Sequence, residues 1–178
     1  YLRGPRGTGF LYVRRALLER LVPPFLDDHA ATWVARDRYE IRADARRFEN
    51  WETNYATKIG LGVAIDYARA WGIETTWARI RALATMLRAR LGAMPGVTVR
   101  DSGAEQCGIV TFTVDGHEPD TLVESLLARG INVSSTTVLG TRLDMEARGL
   151  AAMVRASVHY YNSEDEIERF CTMLAAVG

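Results

Sequence analysis

The run Met153-Val154-Arg155-Ala156-Ser157-Val158-His159 alternates along a strand, so Val154, Ala156 and Val158 turn to a core while Arg155, Ser157 and His159 turn to the opposite face. An arginine in that position cannot be left bare in an apolar layer and must meet water, an acid or a ligand carboxylate. Its planar fork matches a carboxylate through two parallel hydrogen bonds, which is what an amino-acid-binding site requires; a surface ion pair is the structural alternative. A second candidate is the opening run, Tyr1-Leu-Arg-Gly4-Pro5-Arg-Gly7-Thr-Gly9. There Gly4-Pro5 sets a bend, and Gly7 and Gly9 leave the backbone free to take positive φ or to approach a ligand closely. It is either a ligand-adjacent loop or a plain turn, and it leads into β-prone Phe10 to Val13. The sole lysine, Lys58, has the chemistry for a Schiff base. It nevertheless sits in a first helical turn with no glycine-rich loop behind it, as a solvated surface lysine does.

These residues need a scaffold, and the composition supplies one. The chain has 178 residues, 48% of them hydrophobic and 25% charged, with a formal net charge of zero. That is enough to bury a core, and it lacks the basic excess by which proteins hold nucleic acid. No run approaches the roughly 18 apolar residues of a membrane span. Cys107 and Cys171 lie far apart without metal-ligand spacing, so neither a disulfide framework nor structural zinc is expected, and a reducing cytoplasm is the default compartment. Cys107 is read as a small buried hydrophobe beside a strand.

Along the chain, Arg14 to Val22 reads as a short amphipathic turn or helix stopped by Pro23-Pro24, and 25–49 is irregular. Helices are expected over about 56–71, 75–94 and 119–129. In the first, Ile59, Val63, Tyr67 and Ala70 form one stripe, and Gly60 and Gly62 thin it for a neighbouring helix. Strands are expected over 97–100, 108–115, 131–134 and 153–159, with 135–149 as a polar excursion. Ser163 with Glu166 three residues on forms a capping box for a last helix whose buried stripe is Ile167, Phe170 and Leu174. Elements mixed in this order make an α/β domain with helices packed on a sheet.

Three segments in this order resemble the class V family of fold-type I, pyridoxal-phosphate (PLP) enzymes, and together they span Gly4 to Phe170. Gly4-Pro5-x-Gly7-x-Gly9-x-Leu11-Tyr12 resembles the G-P-x-G-x-G-x-L-Y signature that follows the Schiff-base lysine. Arg47-Phe48-Glu49 resembles the R-F-E segment that leads to a loop reaching across a dimer toward the partner's cofactor phosphate. Arg155-Ala-Ser157 through Tyr161-Asn162-Ser163 to Glu166 resembles the R-x-S-x-x-x-Y-N-T-x-E-E segment whose arginine holds the substrate's α-carboxylate. Asn50-Trp51-Glu52 stands where the family often has glycine and threonine, so Thr53 and Asn54 become the candidates for the cofactor contact, or else caps of the next helix.

The resemblance implies the C-terminal half of such an enzyme: the last strand of the large domain, a dimer-interface segment and a small α/β sandwich domain. Residues 1–56 would end the PLP-binding large domain and form the interface loop, and 57–178 would be a linker helix and the small domain. The Schiff-base lysine is expected just before Tyr1, so no catalytic residue is expected within this chain and it would be inactive alone. The implied partners are the missing N-terminal half, a second copy in a homodimer packed through Phe25 to Asn54, and a small amino-acid substrate. The implied reaction runs through an external aldimine to transamination or to C–S or β-elimination. In the family's cysteine desulfurases a persulfide-forming cysteine lies in the loop corresponding to Ser134 to Gly149; here that loop has none, which disfavours a protein persulfide. The alternative is a non-catalytic amino-acid-binding or regulatory α/β domain.

Overall fold

A computed structural model describes residues 2–177. The chain forms two compact units, Tyr1–Trp71 and Gly72–Gly178. The first holds an antiparallel hairpin, β1 (Ala31–Ala35) and β2 (Arg38–Ile41), and one long helix, α1 (Tyr55–Trp71). A 3-10 helix, Arg15–Arg20, occupies the turn expected before Pro23-Pro24, and a second, Ala45–Phe48, follows the hairpin. Phe10 to Val13 is not a strand, because a strand exists only with a hydrogen-bonded neighbour and none of the described residues offers one. Its Phe10, Leu11 and Tyr12 are exposed. The hairpin lies in the stretch expected to be irregular.

Helix α1 buries no residue, and Ile59, Val63 and Tyr67 of the expected stripe are exposed. What packs at its glycine is the Gly4-Pro5 turn and not another helix: a Cβ at Gly60 would come within 2.9 Å of Pro5 Cγ, and one at Gly4 within 2.9 Å of Leu61 Cδ1. A side chain at Gly62 would meet nothing. This packing accounts for α1 standing with the first unit, whereas sequence groups it with the C-terminal part.

The second unit begins at Gly72, whose φ of 84° suits glycine and breaks the helical path before α2 (Ile73–Gly92). There follow β3 (Val97–Val99), β4 (Ile109–Val114), α3 (Pro119–Leu127), β5 (Ser134–Thr137), α4 (Arg142–Ala147), β6 (Ala152–Ser157) and α5 (Glu164–Ala175). The four strands form one antiparallel sheet in the order β3-β4-β6-β5. One face carries Val110, Phe112, Val154 and Ala156 against Leu83, Leu87 and Leu91 of α2, Leu122 and Leu126 of α3, and Ile167, Phe170 and Leu174 of α5. It is the two-layer α/β packing expected from the element order. Gly108 sets the contact at the head of β4, since a Cβ there would lie 2.6 Å from both Ile80 Cγ2 and the Val158 carbonyl oxygen.

Strand β5 begins three residues later than 131–134 suggests, because Gly130 at φ 73° turns the chain back and the Ile131 N–H is taken by the Leu126 carbonyl at 2.9 Å. Within the expected polar excursion, α4 forms on Thr141 and buries Met145, supported by the pairs Arg142–Glu146 and Arg148–Asp144 at i,i+4. Among the described residues no helix is long and apolar enough to cross a membrane.

Helix α5 starts as its capping box predicts: the Ser163 hydroxyl accepts from the Glu166 N–H at 3.2 Å, and the Glu166 carboxylate accepts from the Ser163 N–H at 3.0 Å. Arg79 of α2 clasps the same end, donating to both Glu164 carboxylate oxygens and, at 3.0 Å, to the Asn162 carbonyl. The Arg79 hydrogen bond, with the main-chain N–H at the helix start behind it, lowers the Glu164 carboxyl from 4.5 to about 2. A folded value below the unfolded one means that the pair's stabilisation is fully present above pH 4.5 and is lost as pH falls through about 2. Arg79→Ala is therefore expected to return the Glu164 titration toward its ordinary range, read by NMR of the side-chain carboxyl. An unchanged midpoint would assign the shift to the helix start alone. Both side chains are partly solvated, so the effect on neutral-pH stability is small.

Candidate functional site

On the face of the sheet turned away from the α2, α3 and α5 core, hydroxyls and the Arg155 cation are set out by strand register. Arg155 lies on β6, a central strand, directly between Thr111 of β4 and Ser134 of β5. Its side chain is exposed, as are those of Ser134 and Ser157, while Val154 and Ala156 on the other face are buried. The expected alternation holds from Val154 to Val158, whereas Met153, on the Arg155 side, is buried and the strand ends at Ser157. Among the described residues the Arg155 guanidinium has no hydrogen-bond or ion-pair partner, so both edges of its fork are available to an incoming carboxylate.

The strand beside it is held by a largely shielded ion pair that the sequence did not signal. Arg88 of α2 donates through Nε to Asp101 Oδ2 at 2.6 Å and through Nη2 to the carbonyls of Cys107 and Ile109 at 2.8 and 3.0 Å. Asp101 Oδ1 then accepts from both the N–H and the hydroxyl of Thr111, at 2.8 and 2.6 Å. Thr111 is thereby pinned from the flank opposite Arg155. Both charges are satisfied, which is the condition under which a buried pair rigidifies its surroundings. Arg148 ties α4 to the same end of the sheet by donating to the Arg100 carbonyl and to Asp144.

His159, expected on the Arg155 face, is half-buried and engaged. Its Nδ1 accepts from the Tyr160 N–H at 3.0 Å, its own N–H donates to Asn162 Oδ1 at 2.8 Å, and its ring stacks on Tyr161 at 4.4 Å. These contacts fit a positioning group at the end of β6 better than a free base.

In the first unit, a cleft of ≈850 Å³ brings the end of the glycine loop, Gly9, Phe10 and Leu11, beside Thr53 and Lys58. The Thr53 hydroxyl is half-buried and has no partner among the described residues. Asn54 acts as a helix cap: its Oδ1 accepts from the Thr57 N–H at 3.1 Å and its carbonyl from the Thr57 hydroxyl at 2.9 Å. Gly9 leaves its surroundings open, with nothing within 4 Å of an added Cβ. The Thr53 hydroxyl and the cations of Arg46 and Lys58 are donors of the kind a phosphate takes, so they fit a phosphorylated cofactor; the carboxylates of Asp44, Glu49 and Glu52 line the same cleft. Arg155 belongs to the second unit and Thr53 and Asn54 to the first; each stands in its own surroundings.

Neither cysteine sits in Ser134 to Gly149. Cys107 is exposed rather than buried, because the turn that carries it lies outside β4; its carbonyl accepts from Arg88 at 2.8 Å and its Sγ from the Ile109 N–H at 3.4 Å. Cys171 lies half-buried on α5, and burial pushes its thiol up, away from the nucleophilic thiolate. Among the described residues no group of three metal-ligating side chains is assembled.

Residues 2–170 match the family model "Aminotransferase class-V". Over 177 residues the chain is 33% identical to a probable cysteine desulfurase of Xylella fastidiosa, covering 99% of this chain and 42% of that protein. Over 178 residues it is 32% identical to a cysteine desulfurase of Cronobacter sakazakii, covering 99% and 43%. Among solved structures, the apo cysteine desulfurase of Thermococcus onnurineus superposes with a TM-score of 0.86 at 27% identity, over 99% of this chain and 44% of that one. A cystine C–S lyase in complex with its product, cysteine persulfide, superposes with a TM-score of 0.77 at 25% identity, over 98% and 43%. The chain thus spans less than half the length of the relatives it matches.

Proposed function

The chain belongs to the class V aminotransferase family, whose members use PLP, and on that premise we propose that the intact protein cleaves a C–S bond of a small amino acid. In this reading the described chain supplies the carboxylate-binding part. The observation that carries it is the unpartnered Arg155 fork, set between Thr111 and Ser134 on the polar face of the sheet.

PLP supplies the electron sink that makes bonds at and next to the amino acid's α-carbon breakable. The chain's own residues orient the substrate. Arg155 takes the α-carboxylate in two parallel hydrogen bonds, which sets the angle of the bonds around the α-carbon. Thr111, locked by Asp101, keeps the neighbouring strand from shifting as the carboxylate arrives. Thr53, with Lys58 beside it, is assigned to a cofactor phosphate, contributed to the partner subunit's site. Exposed Phe25, Trp33 and Tyr39, at 77%, 73% and 58%, support an interface between copies in the same region.

C–S cleavage is favoured over transamination by the named activities of the relatives, and release of the sulfur as a small molecule by the cysteine-free segment Ser134 to Gly149. In β-elimination the sulfur leaves with the bonding pair, and the carbon skeleton is released as a 2-oxo acid and ammonia. The test is the intact protein, loaded with PLP and given L-cystine and L-cysteine. Pyruvate and ammonia in equal amounts are expected, with turnover retained in Cys107→Ala and Cys171→Ala. Formation of 3-mercaptopyruvate in place of pyruvate, without ammonia and only with an added 2-oxo acid, would instead indicate transamination, which leaves the C–S bond intact. Loss of turnover in either cysteine variant would restore a protein persulfide. Sedimentation of the same preparation as a monomer would remove the interface assignment.

A further inference from the structure

The segment that presents Thr53 contains no proline between Glu49 and Asn54, so no ring fixes its backbone. It is held from outside. The Asp27 carboxylate accepts through Oδ2 from the Trp51 N–H at 2.7 Å, and through Oδ1 from the N–H groups of His29 and Ala30 at 2.9 and 3.1 Å. A second tether runs alongside: His29 Nε2 lies 3.1 Å from Glu49 Oε2, and the His29 ring meets the Trp51 ring edge-on at 5.8 Å. At its other end the segment is fixed by Asn54, whose side chain caps α1. Only Glu52 and Thr53 lie between the two fixed points. Their freedom is that of a two-residue span rather than of a loop.

We propose that Asp27 is a positioning residue for the cofactor's phosphate: its carboxylate fixes the Trp51 main chain and so holds the Thr53 hydroxyl where the phosphate binds. This rests on the reading that Thr53 faces a PLP phosphate. The three donated N–H groups come from two separate turns, so the carboxylate is the joint between them; a charged acceptor makes each bond stronger than a neutral one would. The Trp51 N–H, as the largest influence, also holds the Asp27 carboxyl below its ordinary range, so the joint stays charged at neutral pH. Truncation to alanine takes the acceptor from the Trp51 and His29 N–H groups, while the Ala30 N–H keeps the Asp27 main-chain carbonyl, and it frees the Trp51 end of the segment. Phosphate binding then carries the cost of ordering the segment.

The test compares PLP with pyridoxal, which shares its ring and aldehyde but lacks the phosphate, by absorbance titration of the intact protein stripped of cofactor. In the wild-type protein PLP binds more tightly than pyridoxal. In Asp27→Ala the PLP affinity is expected to fall about tenfold while the pyridoxal affinity holds, so that the ratio collapses. Asp27→Asn keeps one acceptor oxygen and should lie between the two, and it serves as the test if the alanine variant does not fold. A general structural role would weaken both ligands together. A ratio equal to wild type in both variants overturns the proposal while leaving Thr53 in place. A wild-type protein that binds PLP no better than pyridoxal overturns the Thr53 reading itself.

Discussion

Arg155→Lys is expected to weaken amino-acid binding by the intact, PLP-loaded protein roughly ten- to a hundredfold. Lysine keeps the charge but replaces a planar fork by a point donor, so one of two charge-assisted bonds of about 1.5–3 kcal/mol is lost. Folding should be unchanged, because the side chain is exposed and makes no bond to the rest of the unit. The cofactor's absorbance without substrate should also be unchanged, since Arg155 is assigned to the substrate and not to PLP. Titrations with L-cysteine and with its decarboxylated analogue separate the effects. The variant should bind the decarboxylated amine as wild type does, and equal affinity of both proteins for the amino acid would take Arg155 out of the site.

The largest effect on stability is expected at Phe112, which is fully buried in β4 and meets Phe170 of α5 edge-on at 6.1 Å. Phe112→Ala removes both the transfer free energy of the ring and the packing around it, about 3–5 kcal/mol. That is a large part of the ~5–15 kcal/mol by which a domain is held. Urea unfolding followed by circular dichroism reads it as a lower midpoint. Leu127→Ala supplies the contrast, because Leu127 is 58% exposed beside the fully buried Leu126, and its midpoint should barely move. A small shift at Phe112 would mean that α5 can close onto the space left in the sheet.

Where one face of an element is buried, the sequence is legible. Leu83, Leu87 and Leu91 repeat at four residues along α2, β6 alternates, and Ser163 with Glu166 marks the start of α5. The same physics explains the misses. In β1 only Ala31 is buried, so the hairpin has no one-sided pattern to show. Helix α4 turns one side chain, Met145, inward, too little for a stripe; its signal was the pair of i,i+4 ion pairs. Strand β5 was displaced by a main-chain hydrogen bond from Ile131, which no side-chain pattern records. At the candidate site, Arg155 was readable from its strand, whereas the Arg88–Asp101–Thr111 and Asp27–Trp51 connections join residues 10 to 24 positions apart and follow only from the fold.

The crowding at Gly108 reaches beyond packing into the history open to the gene. An added methyl group would press at 2.6 Å on a main-chain carbonyl as well as on Ile80, and a carbonyl in a paired strand cannot swing aside as a side-chain end can. The Gly108 carbonyl itself accepts the Val158 N–H at 2.7 Å, so a shift at this point is transmitted along β6 toward Arg155. Every amino-acid-changing single-base substitution of a glycine codon introduces at least a β-carbon. Each such change meets the same clash, so only synonymous changes at this codon leave the β4–β6 junction undisturbed.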